Sequence, residues 1–212
     1  MTESLHWLDH DAFRWDGPKT IYFDPWNIRS ASKKADIILV THEHYDHFSK
    51  PDIAKISDDD TVVVGPESVT SQLKSQREVL RDIKTLSPGQ VLELSGVRIK
   101  GVASYNIDKG YHAKSSKNLG FIVTMDGMSV YHAGDTDNIP EMKDYKCDIA
   151  LLPVGGTYTM NAEEAAEAAE AINPKVAVPM HYGRVAGHPA DAKRFEELLK
   201  GKVKVEILKK ES

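Results

Sequence analysis

The stretch Thr41-His42-Glu43-His44-Tyr45-Asp46-His47 places three imidazoles and a carboxylate within six residues. It follows the apolar run Ile37-Ile38-Leu39-Val40, so the donors arrive where a buried strand ends and a loop begins. In an extended loop His42 and His44, two apart, point the same way and can take one metal ion, while Asp46 and His47 turn toward a second. Imidazole nitrogen with carboxylate oxygen suits zinc, manganese or iron, and no thiolate stands there to select a softer ion. Glu43, between the two histidines, faces away from them. Four ligating side chains packed this tightly outweigh the reading as an ordinary polar loop.

The rest of the chain must hold that loop. Ser49-Lys50-Pro51-Asp52 reads as a helix start, with a serine cap and proline in the first turn, and Ile53 and Ile56 would brace the helix against the core. Upstream, residues 5–15 read as an opening strand, Gly17-Pro18 turns the chain into residues 20–23, and Asp24-Pro25-Trp26 ends that strand. Downstream, residues 61–64 form a buried strand, a polar helix covers 67–75, and strands at 83–86, 91–94 and 97–104 make a meander returning to Ser104-Tyr105-Asn106. Residues 107–117 are a polar loop, where function concentrates. Residues 119–125 and 128–131 pair across Asp126-Gly127, a two-residue hairpin signal. Asn161-Ala162-Glu163-Glu164 caps a helix to Ile172, residues 176–180 form a strand that presents His181, and a helix at 190–200 and a strand at 203–208 follow. Asp148-Ile149-Ala150-Leu151-Leu152 echoes Asp36-Ile37-Ile38-Leu39-Val40, which suggests a repeated strand-to-loop unit.

His42-x-His44-x-Asp46-His47 resembles the signature of the metallo-β-lactamase-fold hydrolases. The similarity runs from Phe23-Asp24-Pro25-Trp26 through His132-Ala133-Gly134-Asp135-Thr136 to Pro179-Met180-His181-Tyr182-Gly183. It is strongest to the compact metal-dependent hydrolases related to the lactonase that acts on ascorbate 6-phosphate. The resemblance implies an α/β (α+β) fold, the four-layer αββα sandwich, as a single domain over residues 1–212. It further implies that Asp135 bridges two metal ions, that His132 supports them without ligating, and that Asp24 hydrogen-bonds a ligand histidine. His10 would border the site, although it reads equally well as a strand histidine with a local hydrogen bond. The chain departs from the family pattern at one point. There the third ligand of the first metal follows a strand directly, and this chain has Ser104-Tyr105-Asn106 instead. His112, the only histidine between His47 and His132, is the candidate, with an exposed loop histidine as the alternative.

The expected protein is a metal-dependent hydrolase. His42, His44 and His112 would hold one ion, Asp46, His47 and His181 the other, and Asp135 would lie between them. The cofactors would be two divalent ions, zinc first, with manganese or iron as alternatives. Water shared by such ions loses a proton near neutral pH and becomes a hydroxide nucleophile. Asp46 and Asp135 are the expected catalytic carboxylates, Asp46 by orienting that hydroxide. The bond cleaved would be of ester type, a phosphodiester or lactone, in a small anionic substrate. Tyr105, Asn106, Tyr158, Arg184 and His188 are candidate substrate contacts. Two other readings stay open: a non-catalytic binding protein of the same fold stapled by metal, and a redox di-iron relative. The second would be expected to carry His-x-Glu-x-Asp, and here the third position is His44.

Composition bounds these readings. With 212 residues, 41% hydrophobic and 28% charged, the chain fits an ordinary globular protein. Its formal charge of −5 lacks the basic footprint of nucleic-acid binding, so small-molecule substrates are expected, with a homo-oligomer possible and nucleic acid disfavoured. No apolar stretch matches a membrane span and Met1-Thr2-Glu3-Ser4-Leu5-His6 lacks a signal-peptide pattern, so a cytoplasmic location is expected. Cys147 is the single cysteine and reads as a packed strand-edge thiol.

Overall fold

The computed structural model describes residues 1–28, 33–74, 80 and 82–211. Strands β1 (Leu5–Asp9), β2 (Ala12–Trp15), β3 (Ile21–Phe23), β4 (Ile37–Leu39), β5 (Val62–Gly65) and β6 (Asp82–Thr85) form one sheet in chain order. Strands β7 (Val91–Leu94), β8 (Val97–Ala103), β9 (Leu119–Met125), β10 (Met128–His132), β11 (Ile149–Pro153), β12 (Val176–Met180) and β13 (Lys204–Val205) form the other. Helices α1 (Lys50–Ile56) and α2 (Glu67–Leu73) cover the first sheet, and α3 (Ala162–Ile172) and α4 (Pro189–Leu198) cover the second. This is the αββα sandwich.

The side-chain alternation of β4 shows how sequence sets the layers. Ile37 and Leu39 enter the large core with Phe13, Phe23, Phe121 and Tyr131, whereas Ile38 and Val40 enter a second core with Ile53, Ile56, Val69 and Leu73. A period of two puts alternate residues on opposite faces, so a strand apolar at every position must be buried on both. That burial fixes the register of β4 and with it the position of the loop that follows.

Each sheet has a parallel run of four strands whose carboxyl ends face one edge. β3 to β6 pair in parallel, as do β10 to β13. Ligand sites in open sheets favour that edge. The two runs also share an anchoring device. The Asp36 carboxylate accepts from the Thr20 amide at 2.7 Å and that of Asp148 from the Ser129 amide at 2.8 Å. In turn the carbonyls of Asp36 and Asp148 accept from Val62 and Val176, each at 3.0 Å. The echo between the two pentapeptides is thus matched in hydrogen bonding.

Several sequence expectations shift. Residues 5–15 are not one strand but the hairpin β1–β2, which turns at His10-Asp11 with His10 at φ 44°. The terminal strand covers only Lys204–Val205 rather than 203–208, and Ser75, the expected end of α2, lies outside the described residues. Cys147 is half-buried beside β11, and burial pushes its thiol up to about 12.

Candidate metal centre

Donor atoms from five loops converge in two adjoining sets. In the first, His44 Nδ1 lies 3.0 Å from both His42 Nε2 and His112 Nε2. Asp135 Oδ2 closes the set, 3.3 Å from His112 Nε2 and 4.0 Å from His42 Nε2. Donors bonded at about 2 Å to a tetrahedral ion lie roughly 3.3 Å apart, so the spacing suits one. In the second set, Asp135 Oδ1 is 3.2 Å from His47 Nε2 and 3.3 Å from His181 Nε2. One carboxylate therefore offers an oxygen to each set.

The ring orientations are imposed from behind. The Thr41 amide and hydroxyl both donate to the buried Asp24 carboxylate at 2.7 Å, and His47 Nδ1 lies 2.8 Å from Asp24 Oδ2. Since the Thr41 hydroxyl proton is committed to Asp24, its oxygen accepts from His42 Nδ1 at 3.0 Å. Both rings then carry the proton on Nδ1 and turn the Nε2 lone pair into the site. Asn106 lies 3.3 Å from His112 Nδ1 and donates to the Tyr158 carbonyl at 2.7 Å, fixing the third ring.

Backbone strain gathers here. His10, Asp24, His112 and His181 all have φ between 42° and 57°, each costing roughly 1 kcal/mol or more without glycine. Gly155 makes room for one of them. A Cβ at Gly155 would collide with the His181 carbonyl and come within 3.2 Å of its Nδ1. The Gly155-Gly156 turn is thus a close-packing device for His181. Gly155→Ala should cost about 1–3 kcal/mol by overpacking and weaken retention of any ion at the second set more than at the first. Thermal unfolding and metal content together check this.

Electrostatics favour positive charge between the two sets. Burial, with His47 nearby, holds His42 well below the usual imidazole range, and burial likewise lowers His112. Burial would lower His47 and His181 too, but the Asp135 carboxylate outweighs it, raising His47 well above normal and His181 to about 9. Asp135 itself, despite burial, is held well below the carboxylate range by His181 and His47. In metal-free protein, His181 gains its proton's stabilisation below about pH 6.5 and loses it as pH rises through about 9. Chelated protein should therefore lose on the order of 3 kcal/mol between those pH values, and ion-loaded protein much less. Denaturant titrations across that range test the sign.

Orphaned polar atoms point the same way. His47 Nε2, His181 Nε2, Asp135 Oδ1 and both carboxylate oxygens of Asp11 are buried without a hydrogen-bond partner. Left unpaired, each would cost about 1–3 kcal/mol or more, and a cation held among them would offset that cost. The donor chemistry and the orphaned atoms fit divalent metal ions.

The structure brings together six of the seven expected ligands within these two sets. The seventh, Asp46, stands slightly apart. Its Oδ2 is 3.6 Å from His10 Nε2 and 4.0 Å from His47 Nε2. Asp11, unsuspected in the sequence, joins the second set at 3.4 Å from His47 Nε2 and 3.8 Å from His181 Nε2. His10 borders the site, its ring centroid 4.1 Å from that of His181. His132 donates from Nε2 to the Asp11 carbonyl at 2.9 Å, because its Nδ1 accepts from Gly134.

A cavity of about 260 Å³ opens over the first set, lined by His44, Tyr45, Asp46, Tyr111, His112, Asp135, Tyr158 and Val185. Of the expected substrate contacts only Tyr158 lines it. The buried Tyr105 hydroxyl donates to Glu141, Asn106 holds His112, and His188 caps α4 by accepting from the Ala190 amide. Arg184 lies over Trp26 and 3.8 Å from Asp9.

Comparison with known proteins follows the same lines. Residues 4–181 match a family model described as a beta-lactamase superfamily domain. A metal-dependent hydrolase of Thermoplasma acidophilum is 36% identical over 205 residues, covering 91% of this chain and 88% of that relative. Among solved structures, one described as a metal-dependent hydrolase from Parabacteroides distasonis superposes with a TM-score of 0.83 at 34% identity, covering 98% of this chain and 93% of that one. A metallo hydrolase from Ignicoccus hospitalis gives 0.80 at 25% identity, with 98% and 95% covered.

Proposed function

Since the chain belongs to the β-lactamase superfamily and is a metal-dependent hydrolase, we propose that it works through a dinuclear centre to cleave an ester-type bond, a phosphodiester or lactone, in a small substrate. The observation carrying this reading is the division of Asp135, one oxygen toward His42, His44 and His112 and the other toward His47 and His181. Two divalent ions there, zinc or failing that manganese or iron, would supply an acidified water and a Lewis acid for the substrate oxygen.

The chain's own groups complete the chemistry. Asp46 lines the cavity, and although burial would raise it, His10 keeps it below the usual carboxylate range. Ionised at neutral pH, its Oδ2 is placed to orient the attacking water and accept a proton. Tyr45, Tyr111 and Tyr158 frame the entrance, and the Tyr111 and Tyr158 rings meet edge to face at 5.0 Å. These rings exclude water from one side and select a small substrate. No lysine or arginine among the described residues lines the cavity, so the charge of an anionic substrate would be met by the ions.

His44 is exposed and lines the cavity, which speaks against a purely structural staple, whose coordination closes on itself. The test is hydrolysis of bis-p-nitrophenyl phosphate and of γ-butyrolactone by protein loaded with two equivalents of zinc or manganese. Turnover of either that disappears with chelator supports the proposal. Protein holding two ions but inert toward both classes would overturn it.

A further inference from the structure

Asp11 is fully buried at the back of the centre, outside the cavity lining, and neither carboxylate oxygen has a hydrogen-bond partner. A carboxylate so placed is costly unless something neutralises it. The neighbouring imidazole nitrogens stand at 3.4, 3.7 and 3.8 Å, from His47, His10 and His181, beyond good hydrogen-bond length and around a common point. The turn that aims Asp11 there is held by two side chains and is strained. His132 Nε2 donates to the Asp11 carbonyl, Trp7 Nε1 donates to the His10 carbonyl at 2.9 Å, and His10 adopts φ 44°. Strain and two supports around an unpaired carboxylate mark a position shaped for a ligand.

Resting on the dinuclear reading, we propose that Asp11 is a further ligand of the second ion. This makes that position oxygen-rich, so that manganese or iron is favoured there while zinc takes the imidazole-rich first position. The first set offers three imidazoles and one carboxylate oxygen; the second offers two imidazoles with oxygens from Asp11 and Asp135, and Asp46 close by. Carboxylate oxygen suits harder cations such as manganese, and imidazole suits zinc. The third carboxylate also lowers the net charge of a doubly loaded centre from +2 to +1 when Asp46 and Asp135 are counted with it.

The experiment compares wild type with Asp11→Asn. Each is stripped, loaded with one equivalent of zinc and titrated with Mn²⁺, with bound manganese followed by electron paramagnetic resonance and total metal by mass spectrometry. Wild type is expected to bind one zinc and one manganese. Asp11→Asn should keep the zinc and lose manganese affinity at least about 10-fold, the scale of losses at metal-supporting residues. Manganese bound equally well by both proteins overturns the Asp11 assignment and leaves the dinuclear reading intact. Wild type that takes up only one ion overturns both. Asp11→Ser repeats the comparison should Asp11→Asn fail to fold.

Discussion

Asp135→Ala is expected to empty both metal positions, taking the protein from about two ions per chain to well below one and reducing kcat/KM by about 10³-fold or more. Asp135 is the one side chain that belongs to both of these donor sets, and it alone offers an oxygen to each. Lewis-acid and water activation is worth several kcal/mol, and each 1.36 kcal/mol is tenfold in rate. Plasma mass spectrometry on protein purified without chelator reads the first effect and steady-state hydrolysis the second. Retention of two ions in the variant would mean that the sets are independent and that Asp135 does not join them.

Asp24→Ala should be nearly as damaging although Asp24 faces no substrate. Its carboxylate takes the Thr41 amide, the Thr41 hydroxyl and His47, and through Thr41 it sets the His42 proton. Removing it strands a buried amide and frees two rings to turn. Metal affinity should fall about 10- to 100-fold at both positions, and ion-free stability by roughly 3 kcal/mol. Competition with a chromophoric chelator and denaturant unfolding measure the two losses separately. Asp24→Asn, which keeps the shape and can accept only one of the three donors well, should fall in between.

Much of the site is legible in the amino-acid sequence. His42, His44, Asp46 and His47 stand in one short loop after an apolar strand, and His181 repeats that arrangement at the end of β12. His112 stands out through the absence of any other histidine in its region, and its Nε2 does reach to 3.0 Å from His44. Asp11 is hidden for a physical reason. Trp7, Phe13 and Trp15 suggest a continuous strand, and strand alternation gives no cue that the chain reverses between them. The cue is the polar triplet Asp9-His10-Asp11, since Asp and His tolerate left-handed backbone and a turn needs no glycine there. Tyr105, Asn106 and His188 do not line the cavity, and a polar residue near a site serves equally well to hold the loops that form it. Each of the three does so here, through Glu141, His112 and the start of α4.

The matched anchors at Asp36 and Asp148 divide the molecule into two halves, one built on each sheet. Counted by half, every donor set is mixed: His42 and His44 meet His112 and Asp135, and Asp11 and His47 meet Asp135 and His181. Neither half can close a set alone. Ions held by these sets would lie on the seam, and capturing them would add a clasp between the halves beyond the core they share. The Leu119 amide, which donates across that seam to the Thr41 carbonyl at 3.0 Å, is where the clasp would be felt, exchanging its hydrogen slowly when the ions are present and faster once they are withdrawn.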